Sequence, residues 1–489
     1  MTDSEASKVG NSGVLFLVGT GLSMMSGFLF RIVLSNILNV SAFGSVMLAI
    51  SVLGIIAIPA NMGLNQGILK YYPELDNEET NSFITLSLLV IVFLSTLTVG
   101  VLFYFDDLLL TTLFDNAVGV RFFFLFLLSI PMFSTLKFIR DSLRGARKST
   151  GFVFLTKIFQ PYSRLAFAGL AAYLYGTVLA VYFGVLTSLL LTLGLGIAMM
   201  YRSGWRPQVR SNVNYSKFFR FSFPLMLSST IYVLLSRVDR VFLGFFRSPE
   251  VIGIYEVAFA VALLLSTFRA AFSFIMLPTL SDMVGEREIS EISHLYRQVT
   301  KWILISTTPA LLILLIRPGF FVALFGNQYL LSAVYVPLSV LAMAQFFDAA
   351  TGPNGDALLA WNKSKTVMLY NFVALVVNLI LNVALIPEFG ATGAAVALFA
   401  GYTTANILKA YDLLSNHDIL VFSWPSIKAS AVMTVIFAPF LYVLPTVQLL
   451  VEVSLLSVGF VAAIGISVGF LYVTGDLTTE DIELLRLYD

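Results

Sequence analysis

Apolar residues along this chain run in long blocks instead of alternating with polar ones. Blocks of roughly 20 residues recur from Ser12 to Val473, each long enough to cross a hydrocarbon core of about 30 Å. They are apolar nearly all the way round and show no period of two, so they predict helices and argue against a β-barrel. Fourteen spans are predicted, at about 12–36, 44–68, 81–105, 120–142, 151–175, 178–200, 217–246, 252–281, 298–316, 333–361, 366–386, 390–411, 426–445 and 449–474. The predicted fold class is an all-α polytopic membrane protein.

The charged residues between the blocks set the orientation. With the N-terminus placed inside, nineteen of the 29 Lys and Arg residues fall on inner segments or at the inner edges of spans, and three (Arg121, Arg247 and Arg317) on outer segments or edges. A missed or invented helix would scramble this sorting downstream of the error, and it stays clean to the end. The positive-inside rule therefore predicts fourteen helices with both termini cytoplasmic. The longest outer loop, Asp106–Val120, carries Asp106, Asp107 and Asp115 and is too short to fold as a domain.

Composition narrows the chemistry. Hydrophobic residues make up 58% and charged ones 12%, against roughly 25% charged in soluble domains. The net charge of +1 is sorted by loop, so no nucleic-acid partner is expected. Cysteine is absent, and the two histidines, His294 and His417, fall in predicted loops. Neither a metal cluster nor an intramembrane histidine relay is expected, nor any cofactor. The start, Met1-Thr-Asp-Ser-Glu5, lacks the basic region of a cleaved signal, so the first span is expected to stay as the first transmembrane helix.

Seven cations lie inside the predicted spans: Arg31, Lys137, Lys157, Arg164, Arg237, Arg240 and Arg269. Each costs about 2.5–3.5 kcal/mol to insert and normally faces a cavity. Only four acids sit comparably, Asp239, Glu256, Asp348 and Asp356. The excess of fixed cations suits an anionic passenger. The tenth span holds a second anomaly, Asp348-Ala-Ala-Thr-Gly-Pro-Asn-Gly-Asp356, with Gly352, Pro353 and Gly355 where continuous helix is expected. These residues predict a kink or break, either static or a gating hinge. Asp348 beside it is the best available ligand for a coupling ion.

The chain also repeats itself at an offset near 210. Arg31 precedes Phe43-Gly44 as Arg240 precedes Ile252-Gly253, and Asp141 to Ser149 aligns with Asp356 to Ser364 at Asp, Leu, Lys and Ser. Two six-helix lobes follow, 1–205 and 206–415, with helices 13 and 14 and a cytoplasmic tail over 416–489. Repeats of this kind place a substrate site between lobes near the midplane.

Ser216-Lys-Phe-Phe-Arg-Phe-Ser-Phe-Pro224, Leu235-Ser-Arg-Val-Asp-Arg-Val-Phe-Leu-Gly244 and Ile252-Gly-Ile-Tyr255 resemble the seventh and eighth helices of polysaccharide-biosynthesis flippases. Those belong to the multidrug/oligosaccharidyl-lipid/polysaccharide exporter superfamily. Leu324-Phe-Gly326 with Tyr329, Asn378 to Asn382 with Pro387, and Gly390-Ala-Thr-Gly-Ala-Ala395 agree, so the resemblance covers nearly the whole chain. It implies a two-lobed, V-shaped bundle in the cytoplasmic membrane that moves an isoprenoid-phosphate-linked saccharide, with membrane lipids and glycan polymerases or glycosyltransferases as partners.

On that reading Arg164, Arg237, Arg240 and Arg269 would hold the lipid phosphate, since guanidinium forks match phosphate oxygens bidentately. Arg31 would assist, and Lys137 and Lys157 would draw the headgroup in from the cytoplasm. The plainer alternatives are snorkelling for Arg31, Lys137 and Lys157, and charge balance of Arg237 or Arg240 by Asp239. Outward movement of an anion is downhill by about 2.3 kcal/mol per charge per 100 mV, so no ATP is required, and no GxxxxGK[ST] phosphate loop is present. The chain is not expected to be an enzyme. A drug/cation antiporter of the same superfamily would need an acid in the first helix, where Arg31 stands instead. A membrane glycan polymerase or ligase would need larger outer loops.

Overall fold

The computed structural model describes residues 3–104, 125–146, 148–209, 215–285, 288–422, 424–445, 449–478 and 481. The acidic loop Asp106–Val120, with Arg121, Arg147, Arg210, Arg287 and Arg486 of the charge count, lies outside them. The described residues contain helices and no strand. Ten helices among them are long and apolar enough to cross a membrane.

The differences from fourteen predicted spans have local causes. The predicted eleventh and twelfth spans run together as one helical stretch, Ser364–His417, broken at Gly390 with φ 52° and ψ −125°. Only glycine adopts such a backbone without strain. Around the fifth span the helix is interrupted by a π-helical turn, Phe154–Phe159, just before Gln160 and Pro161. Pro161 has no N–H to return to the turn below, which favours the wider winding. The helix Tyr215–Phe246 is continuous but carries Arg237, Asp239 and Arg240 in its apolar stretch. The helix Ile130–Gly145 covers part of the fourth predicted span.

The chain separates into two compact units, 1–256 and 257–489. In the first, α1 (Asp3–Ile37) lies against α2 (Gln160–Tyr175), which packs on α3 (Val178–Arg202). The helix α4 (Tyr215–Phe246) packs along α5 (Val40–Asn61), which places it with the N-terminal unit. Close approach inside this unit depends on small residues, as is usual between membrane helices. Gly44 and Gly253, which the predicted repeat aligns, meet each other: a Cβ on Gly44 would run into the Pro249 carbonyl and the Gly253 amide, and one on Gly253 into the Val40 carbonyl.

In the second unit α6 (Ile289–Ile316) packs against α7 (Leu331–Ala350) and α8 (Trp424–Val443), and α7 packs against the broken stretch Ser364–His417. Beyond the last span, the carboxylate of Asp481 accepts from Lys301 Nζ at 2.6 Å and Trp302 Nε1 at 3.2 Å. Burial disfavours its charge, but Lys301, the Thr478 amide and Gln298 outweigh that and hold it below the usual carboxylate range.

The Gly44–Gly253 contact makes a stability prediction. Gly44→Val should destabilise by about 1–3 kcal/mol through overpacking, read as a lower melting temperature in detergent. Gly100→Val, where nothing lies within 4 Å, should leave the melting temperature nearly unchanged.

Candidate functional site

Each unit carries its own intramembrane charge cluster. In the first, Arg237 and Arg240 are one turn apart on α4 and share a face. Their side chains meet different environments. Arg240 is almost fully buried, and its Nε bonds a Glu256 oxygen at 2.5 Å, with its Nη1 on the Ser236 carbonyl at 2.7 Å. Arg31 reaches the other Glu256 oxygen through Nε at 3.3 Å, with its Nη1 on the Gly27 carbonyl at 3.2 Å. Arg31 and Arg240, which the predicted repeat aligns, are thus held alike: each back-bonds the carbonyl four residues earlier, and each gives its Nε to one carboxylate.

Glu256 is the residue that sequence reasoning passed over. The sequence offers Asp239 as a balancing acid for Arg237 or Arg240; the structure adds Glu256, which stands against Arg240 Nε, while the Asp239 carboxylate accepts from Tyr255 at 3.0 Å and lies in electrostatic range of Arg240. Being the sole acid of the eighth predicted span was the available signal.

Arg164 and Arg237 differ from this pair. Neither makes an ion pair among the described residues. Both line an intramembrane cavity of about 100 Å³ with Gly54, Ser129, Gln160 and Ser188, and Arg164 lies in electrostatic range of both Arg31 and Arg237. The Arg164 guanidinium stacks over Phe30 at 4.6 Å. The Arg237 guanidinium lies over Gly54, where a Cβ would come within 2.6 Å of it, and donates weakly to the Ile50 carbonyl at 3.4 Å. Gln160 enters the cavity at the end of the π turn and accepts from Arg140 at 2.7 Å. The cavity is large enough for several waters or one phosphate group.

The lysines stand apart from these arginines. Lys157, in the π turn, sits over the Phe16 ring at 4.8 Å. Lys137 is one turn before Asp141, whose carboxylate accepts from Asn65 at 3.0 Å.

In the second unit Arg269 Nε pairs with Asp348 at 2.9 Å, the two side chains 31% and 20% exposed. Asp348 also accepts from Asn406 at 2.9 Å, and Asn406 accepts from Asn354 at 2.7 Å. The predicted phosphate ligand and the predicted coupling acid are therefore partners. The interruption of the tenth span falls at Thr351–Pro353, between α7 and a short helix Asn354–Ala360. Gly352 takes φ +68° there, and Gly355 lies within the following helix. The freed Thr351 carbonyl accepts from Tyr296 at 2.7 Å, so the break is satisfied internally. Lys409, on the broken stretch Ser364–His417, lies close to Gly355, where a Cβ would stand 3.9 Å from its Nζ. Among the described residues no group of three His, Cys, Asp or Glu side chains is arranged to hold a metal.

Comparison with known proteins fits this architecture. The profile of a polysaccharide biosynthesis protein family matches residues 9–284, and that of the MatE family matches 224–384. A Haloferax volcanii protein described as "Probable low-salt glycan biosynthesis flippase Agl15" is 27% identical over 423 residues, 83% of each chain. The fold is similar to a lipid II flippase in an inward closed conformation (TM-score 0.78, 12% identity, 95% of this chain and 100% of the other). It is also similar to an inward-facing multidrug resistance transporter (TM-score 0.66, 14% identity, 81% and 96%).

The Arg269–Asp348 pair can be isolated by a double-mutant cycle. Arg269→Gln, Asp348→Asn and the double variant should show a coupling of about 1 kcal/mol in thermal stability, the value for a partly exposed pair. Additive losses would mean the two do not interact.

Proposed function

The chain belongs to the polysaccharide biosynthesis protein family, and from that premise we propose that it is a flippase for an anionic isoprenoid-phosphate-linked saccharide. It carries the headgroup across the cytoplasmic membrane by alternating access, for surface polysaccharide or glycoprotein biosynthesis. The observation that carries this reading is the pair Arg164 and Arg237, converging on one intramembrane cavity with no ion pair to either among the described residues. Two desolvated guanidinium groups form a site whose unmet requirement is an anion, and a phosphate meets it with bidentate hydrogen bonds. A cationic drug would be repelled from it.

The remaining assignments follow from that centre. The lipid phosphate sits between Arg164 and Arg237 during transfer. Arg31 and Arg240 border the site. Lys137 and Lys157 attract the headgroup from the cytoplasmic side, and Arg269 with Asp348 forms a second polar station. Gly352 and Pro353 provide the flexible break. Fourteen crossings with both termini cytoplasmic, arranged as six, six and two, remain the topology best matched to the charge sorting. The pathway's polymerases and glycosyltransferases supply and consume the carried glycan, and no bond-making step is assigned to this chain.

The test is translocation in liposomes. A fluorescent lipid-linked oligosaccharide is reconstituted with the protein, and headgroup protection from external glycosidase is measured. Arg164→Ala with Arg237→Ala should lower the flipping rate at least tenfold while the variant still elutes as a folded protein. Equal rates in wild type and variant would make those arginines structural. No flipping by either, with several donor lipids tested, would overturn the flippase reading.

A further inference from the structure

The cluster around Glu256 has a use beyond charge balance. Arg31 and Arg240 occupy repeat-related positions, yet the carboxylate between them belongs to one repeat alone: the residue 209 positions before Glu256 is Met47. Each arginine spends its Nε on a different oxygen of the same group, at 2.5 and 3.3 Å. Two guanidinium groups set around one oxyanion are also an arrangement that grips a phosphate. The two bonds are unequal. Arg240 and Glu256 are each 3% exposed, whereas Arg31 is 25% exposed and holds the longer bond.

We propose that Glu256 is an internal anion that occupies the phosphate-gripping edge of Arg31 and Arg240, and that an incoming anion must displace it from Arg31 to engage the site. This deepens the flippase reading and rests on it for the identity of the natural ligand. Glu256 then sets a threshold for specificity. A singly charged ion gains too little at Arg31 to replace an ionised carboxylate that is already desolvated in place. A pyrophosphate or phosphate ester carries more charge and more acceptor oxygens, and it contacts Arg164 and Arg237 in the same cluster. The chemistry selected is a multiply charged phosphate.

The same geometry assigns different roles to the two arginines. Arg240 keeps Glu256 in position and remains paired when Arg31 lets go. Arg31 is the exchangeable partner. Removal of the Glu256 charge should therefore create an anion site in the protein without lipid.

The experiment uses detergent-purified full-length protein and inorganic pyrophosphate as the probe, with potassium gluconate holding ionic strength constant. The melting temperature is followed against pyrophosphate concentration. Glu256→Gln should be stabilised by pyrophosphate with a midpoint at least tenfold lower than wild type. Addition of Arg31→Gln to it should abolish the gain. Glu256→Asp, whose shorter side chain cannot span both arginines, should fall between the two, and it serves if Glu256→Gln does not fold. Equal midpoints in wild type and the position-256 variants would overturn the proposal, as would a gain that survives loss of Arg31. The readout needs no glycolipid, so a failure of translocation leaves it intact. A failure of anion capture likewise leaves the Arg164–Arg237 reading standing.

Discussion

A shortage of carboxylates around buried guanidinium groups governs this protein. An uncompensated charge inside a membrane costs several kcal/mol, and a sequence tolerates it only where a cavity, a partner or a ligand repays the cost. Of the acids predicted within spans, Glu256 and Asp239 are the two that fall in the N-terminal unit with Arg31, Arg164, Arg237 and Arg240. Glu256 is shared by Arg31 and Arg240, Asp239 binds Tyr255, and Arg164 and Arg237 are left facing a cavity. The local structure serves that arrangement. The π turn before Pro161 carries Gln160 into the cavity, Gly54 leaves room for the Arg237 guanidinium, and Gly44 with Gly253 lets two helices approach beside Glu256.

The C-terminal unit handles the same constraint differently. Arg269 is met by Asp348, Asp348 is held by Asn406, and the interrupted helix at Thr351–Pro353 has its carbonyl capped by Tyr296. The cluster is balanced, and the break is hydrogen-bonded rather than open to a cation. The two units thus carry unlike chemistry: Arg164 and Arg237 line a cavity in the first, and Arg269 is met by Asp348 in the second.

Much of this was legible from the residues. Long all-round apolar blocks predict helices because nothing else satisfies a backbone in lipid, and the intramembrane arginines stand out by cost alone. What the sequence did not reveal was pairing. Glu256 lies 225 residues from Arg31, and Asp348 lies 79 from Arg269; side-chain partners at such separations depend on helix rotation, which apolar blocks without periodicity leave undefined. Asp239 is legible beside Arg240 because the two are adjacent in sequence, whereas Glu256 becomes a partner only through the approach of a second helix. The break at Gly390 and the π turn at Phe154–Phe159 depend on single backbone positions, too local for a hydropathy pattern to register.

Binding of a polyprenyl phosphate to purified protein, compared with the uncharged polyprenol, tests the central claim most directly. The account predicts that wild type prefers the phosphate by at least tenfold, and that Arg164→Gln with Arg237→Gln removes that preference while leaving polyprenol binding unchanged. A phosphate preference that persists in the double variant would contradict it.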